Sequence, residues 1–178
     1  MSRRYSTSIT RLWSNKRGAT AVEFALVATP LITLIFASLQ IAIIFFFDQA
    51  LQTAAQKAAR QLMTGSAQTA DLTQAQFKAL VCANLPSQFQ CPNVMIDVES
   101  AQSFPTINTA PITLTYNASH AVTNAWSYSP GNAGDIVIMR AMYDWPVLGG
   151  PLALGLANQP DGGHLLIATA VFKNEPFQ

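Results

Sequence analysis

The sequence predicts an α+β fold: a long N-terminal transmembrane helix continuing into a small head with a short helix and a three- to four-stranded antiparallel sheet. Three observations carry this. Residues 24–47, FALVATPLITLIFASLQIAIIFFF, hold no charge. The sixteen that follow, DQALQTAAQKAARQLM, keep apolar residues at helical spacing. Beyond Gly65, short β-rich runs alternate with Pro, Gly, Asn and Ser clusters.

Composition narrows the class. Of 178 residues, 50% are hydrophobic and 11% charged, too few charges for a disordered chain and unusually apolar for a small soluble domain. The formal net charge of +1 hides an asymmetry. Arg3, Arg4, Arg11, Lys16 and Arg17 all precede the apolar run, and residues 19–178 hold five bases against nine acids. The basic charge belongs to a leader, which argues against a nucleic-acid-binding surface.

The apolar run covers roughly 36 Å as a helix at about 1.5 Å per residue, enough to cross a bilayer. A cleaved secretory signal fits poorly, because such apolar regions run about 7–15 residues. A twin-arginine reading of SRRYSTS fits less well, since Ser6 and Thr7 stand where apolar residues belong. Five bases on the N-terminal flank place that end in the cytoplasm and send residues after Phe47 across the membrane. Expected segments are therefore a leader at 1–18, a transmembrane part at 19–47, a helical continuation at 48–65 and a head at 66–178.

In the continuation, Leu51, Ala54 or Ala55, Ala58 and Leu62 share one side, and Asp48, Gln52, Gln56 and Arg60 another. One helix from about Thr20 to Met63, bent at Pro30 and closed at Gly65, accounts for the pattern; two helices with a break near Asp48 are the alternative. DLTQAQFKALVCANL reads as a short helix, with Asp71 and Gln74 at capping-box spacing and Pro86 bounding it. Strands are expected at Val94–Glu99, Ile112–Tyr116, Asp135–Trp145 and Leu165–Phe172. Cys82 and Cys91 flank a short loop containing Pro86, so they either form a disulfide in an oxidising compartment or remain two core thiols. Zinc and redox spacings are missing, and the sequence calls for no cofactor and no metal.

Gly18 is followed by an apolar run with Glu23 five positions on. RGATAVEFALVATPLITLIFASLQIAIIF followed by QALQTAAQKAARQL resembles the TadE-like pseudopilin family of the tight-adherence (Flp-type) pilus system. YDWPVL at Tyr143–Leu148 and ATAVFKNEPF at Ala168–Phe177 are similar to that family's closing segment, whereas residues 67–134 resemble nothing named. The resemblance implies a bacterial inner-membrane protein with a periplasmic head, cut by a prepilin peptidase between Gly18 and Ala19, with other pilins or pseudopilins and pilus assembly components as partners.

Physical reasons accompany each residue. Glycine costs about 1 kcal/mol in a helix relative to alanine, so Gly18 keeps the scissile bond unwound and offers no side chain. Cleavage removes all five leader charges and creates an α-amine on Ala19 with a reference pKa of about 7.7–8.0. A carboxylate at the bilayer centre costs on the order of 3 kcal/mol, so Glu23 gains by meeting that amine, within one chain at four-residue spacing or on a neighbouring subunit. Otherwise Glu23 snorkels to the headgroups.

The remaining candidates point to no chemistry. His120 and His164 lack triad or metal spacing, and Ser127, Ser129 and Asp135 lack a nucleophile-elbow context, so no enzyme is expected. Asn117-Ala-Ser119 is a formal glycosylation sequon. Pro146–Gly163 is apolar and Gly/Pro-rich, either a packed crossover or a sticky loop for a partner or membrane. Trp126 and Trp145 read as sheet-face packing. The functional expectation is a minor pseudopilin; an uncleaved signal anchor with a ligand-binding or sensor head is the alternative.

Overall fold

A computed structural model of the chain describes residues 18–119, 121–147 and 155–177. Residues 1–17 of the expected leader, His120 and the middle of the Pro146–Gly163 segment lie outside them. Residues up to Gln40 form one compact unit and those from Ile41 onward a second.

Helix α1, Ala19–Met63, runs for 45 residues without a break at Asp48, about 68 Å at 1.5 Å per residue. Within the first unit its apolar side chains face outward, among them Val22, Phe24, Leu26, Leu31 and Leu34. Such a surface belongs in lipid, and the helix is long and apolar enough to cross a membrane as a single-pass anchor. Its hydroxyls suit that solvent: Thr29, Thr33 and Ser38 donate to the carbonyls of Ala25, Thr29 and Leu34 at 2.7, 2.8 and 2.9 Å. Each of these three hydroxyls is thereby satisfied within the helix, as lipid requires.

In the second unit α1 changes character. Phe47, Leu51, Ala54, Ala55, Ala58, Ala59 and Leu62 are buried on one stripe, the face expected from the spacing extended by Phe47 and Ala59. The alanines of the stripe are buried, and Leu51 and Leu62 are fully buried and contribute about 1.5–3 kcal/mol each. Gly65 ends the helix at φ 75°, its N–H donating to the Leu62 carbonyl at 3.1 Å. A Cβ there would lie 2.2 Å from Phe177 Cγ, so the chain's last residues are laid over the helix end. Glu175 N–H completes the closure by donating to the Met63 carbonyl at 2.8 Å.

Two short helices follow, α2 at Ser66–Thr69 and α3 at Gln74–Cys82. The capping box of α3 is formed by Thr73 and Gln76, not by Asp71 and Gln74. Asp71 is instead the left-handed residue, φ 49°, that ends the preceding turn, with its N–H on the Gln68 carbonyl. Phe77 and Val81 turn inward from α3 to the α1 seam.

The sheet has three antiparallel strands in the order β1 (Met95–Ala101), β2 (Ile136–Pro146) and β3 (Gly163–Lys173). Val98 pairs with Met139, and Ala141 with Ala168. One face, including Val98, Val137, Met139, Ala141 and Ala168, packs in the same core as the α1 stripe. On the other, Met95, Met142 and Leu165 are covered by Leu114, with Ile112, Tyr116, Val122 and Trp126 beside them.

Ile112–Tyr116, expected as a strand, is extended but carries only an isolated bridge from Tyr116 to Val122. Its backbone is satisfied locally: Thr115 N–H donates to Asn124 Oδ1 at 2.7 Å, and Asn124 Nδ2 to the Thr113 carbonyl at 2.9 Å. Its apolar side chains therefore serve as a lid on the sheet. Beneath the lid lies a buried ion pair, Arg140 Nη1 to Asp97 Oδ2 at 3.4 Å. Asp97 Oδ1 also accepts from Ser127 N–H, and Arg140 donates to the Asn108 carbonyl, so both charges help fix the covering segment.

Both outer edges of the sheet are engaged. Val98 exchanges backbone bonds with Ser127 and Ser129 at 2.9 and 2.8 Å. On β3, the Gln52 amide both donates to the Thr169 carbonyl and accepts its N–H, at 3.2 and 3.3 Å.

Cys82 and Cys91 form a disulfide, Cα atoms 5.7 Å apart, joining the end of α3 to the turn that feeds β1. Replacing both by alanine should lower stability by about 2–3 kcal/mol through the short closed loop. Thermal or denaturant unfolding of the membrane protein in detergent measures this; an unchanged midpoint would contradict the role.

Candidate functional site

Gly18, Ala19 and Glu23 fall together at the start of α1, all exposed. Gly18 immediately precedes the helix, and a Cβ built on it meets nothing within 4 Å. Among the described residues, then, nothing demands glycine here. Ala19 is the first residue of α1 and Glu23 lies one turn on, the separation at which side chains share a helix face. Among the described residues Glu23 takes part in no ion pair, since Arg140–Asp97 is the salt bridge they contain.

At the far end of the apolar run, Phe47 stacks on Trp145 with ring centroids 3.9 Å apart and meets Phe89 edge-on at 5.5 Å. This aromatic group joins the last turn of the run to β2 and to the loop of the disulfide. Trp145 is thus a packing residue, as expected, and Trp126 lies beside the second core.

The other sequence candidates are dispersed. Ser127 N–H serves Asp97, Ser129 Oγ pairs with Ser100 Oγ at 2.8 Å, and Asp135 accepts from Asn132 N–H at 2.8 Å. Asn117 uses its Oδ1 to accept from Ser119 and Ala121 N–H in a turn. His164 is the second residue of β3, with Nδ1 against the Leu156 carbonyl. Among the described residues no group of three or more His, Cys, Asp or Glu side chains could hold a metal.

One polar cluster was not anticipated. Tyr116 OH donates to Asp144 Oδ2 at 3.0 Å and lies 3.2 Å from Gln159 Oε1, with Asp161 and His164 close to Asp144. Burial raises the Asp144 carboxyl from 3.8 to about 6; Tyr116's hydrogen bond opposes this and Asp161 adds to it. Burial, then Asp144, push the Tyr116 hydroxyl up as well. Gly163 makes the arrangement fit, because a Cβ there would stand 2.0 Å from Asp144 Oδ1. The available signal was charge within apolar β runs: Asp97, Arg140 and Asp144 each interrupt one.

Because the folded head holds the Asp144 proton more tightly than the unfolded chain, stability is greatest below about pH 4 for this group and declines towards about pH 6. Asp144→Asn should flatten that part of the profile. Unfolding midpoints of both proteins across pH 4–7 provide the check, and parallel curves would contradict the assignment.

Comparison with known proteins bears on the first of these sites. None of the curated proteins and none of the solved structures compared with the chain matches it. A family model described as TadE-like protein matches residues 18–60. That interval opens on Gly18, includes Glu23 and the whole apolar run, and ends inside the stripe that α1 buries against the sheet. From Gly18 to Arg60, then, the chain is similar to the TadE-like family.

Proposed function

We propose that this chain is a minor pseudopilin required for biogenesis of a tight-adherence (Flp-type) pilus. It stands in the bacterial inner membrane with its N-terminus cytoplasmic and its head periplasmic. A prepilin peptidase cuts it between Gly18 and Ala19, and it then works with other pilins and assembly components, performing no chemistry of its own. The observation that carries this reading is the family match beginning on Gly18 and containing Glu23 and the span.

The mechanism follows from charge. Before cleavage, five leader bases hold the N-terminus at the cytoplasmic headgroups. Cleavage removes them and leaves one protonated amine on Ala19, opposite in sign to the Glu23 carboxylate one helical turn away. Neutralising that pair offsets a cost on the order of 3 kcal/mol for a lone carboxylate in the bilayer, whether the amine comes from the same chain or a neighbour. The subunit is then free to shift along the membrane normal, with Glu23 setting its register.

Intact-mass measurement with the cognate peptidase present and absent should give a mature chain beginning at Ala19 only in the first case. Met1 retained in both would favour the signal-anchor alternative. Gly18→Arg should fold normally, since none of the described residues crowds that position, yet remain uncut. Glu23→Gln should be processed and fail to support piliation; normal filaments from that variant would remove the role given to the carboxylate.

A further inference from the structure

The last two turns of the apolar run form one wall of a groove. Ile41, Ile44, Phe45 and Asp48 line it from α1; Leu156, His164 and Leu166 line it from the β2–β3 side, around a cavity of about 300 Å³. Phe45 is 69% exposed and Ile41 39%, so the groove opens outward along the helix.

Its polarity is graded. Ile41 to Asp48 covers about 10 Å of helix. Along the α1 wall the lining passes from Ile41, Ile44 and Phe45 to the Asp48 carboxylate, and Leu156, Leu166 and the His164 imidazole line the facing side. A carbonyl can only accept, so His164 Nδ1 is the donor to Leu156 O, which leaves Nε2 as its remaining polar atom.

The position of the groove selects its occupant. A hydrocarbon core about 30 Å thick takes about 20 residues of helix, and the uncharged run holds 24, from Phe24 to Phe47. Ile41–Asp48 therefore straddles the boundary between acyl chains and headgroups on the head's side. A groove whose helix wall is hydrocarbon at its deeper end and carries a carboxylate at its shallower end, at that depth, matches one lipid molecule in both polarity and direction.

We propose that this groove binds a phospholipid of the leaflet adjoining the head, one acyl chain lying along Ile41, Ile44, Phe45, Leu156 and Leu166. Asp48 meets an ammonium-bearing headgroup. This rests on the membrane anchor alone, so the outcome of processing or piliation experiments leaves it untouched.

The test uses the full chain extracted from membranes of mixed phosphatidylethanolamine and phosphatidylglycerol and analysed by native mass spectrometry. The expected result is one retained phosphatidylethanolamine per chain, with retention falling about tenfold in Leu156→Asp, which sets a carboxylate against the chain. Equal retention in wild type and variant, or equal retention of the two lipids, would overturn the proposal. Photo-crosslinking of unmodified protein with a diazirine-bearing acyl chain gives a second readout independent of any variant. Adducts on residues 155–166 together with 41–48 are expected, whereas adducts confined to residues 19–40 would overturn it.

Discussion

A single helix has to be soluble in two solvents, and the change between them at Phe47 and Asp48 governs the rest of the molecule. Before that point α1 needs apolar side chains all round, because lipid wets every face. After it, only one stripe can be apolar, and that stripe must find a protein surface to lie on. The aromatic group of Phe47, Trp145 and Phe89 marks the transition, Phe47 being the first residue of the run that is buried.

Everything in the head is arranged around that stripe. Alanines at 54, 55, 58 and 59 are buried in it, and residues from the inner faces of all three strands share its core. The opposite sheet face had no second helix to bury it, so a long irregular segment performs that task. Such a cover lacks a ladder of its own, and polar anchors replace it: Asp97, Arg140 and the amide of Asn124. Buried charges of this kind add little net stability, yet they fix where the cover sits, because any shift strands a charge.

Much of this was legible in the sequence, for identifiable reasons. The charge-free run, the alanine spacing after it and the closing Gly65 are local periodic signals, and a helix expresses them without reference to anything distant. Three of four expected strands were found because their partners are equally apolar. Ile112–Tyr116 has the same β-rich composition, and only the tertiary choice between pairing and covering separates it from a strand. The cap of α3 moved by two residues because Asp71 was already spent on ending the turn before it. At the candidate site, Gly18, Ala19 and Glu23 were readable as a motif. The Tyr116–Asp144–Asp161 cluster was not, since its members lie 28 and 17 residues apart in a chain that gives no sign of their meeting.

The amide of Gln52 occupies both backbone groups of Thr169 at the middle of an outermost strand. A free border of that sort is a template on which another chain can extend the sheet. With its centre satisfied by a side chain from the anchor itself, β3 offers no uninterrupted row of donors and acceptors. Many copies confined to two dimensions can then collide sideways without zipping into aggregates, a safeguard that costs the fold one glutamine.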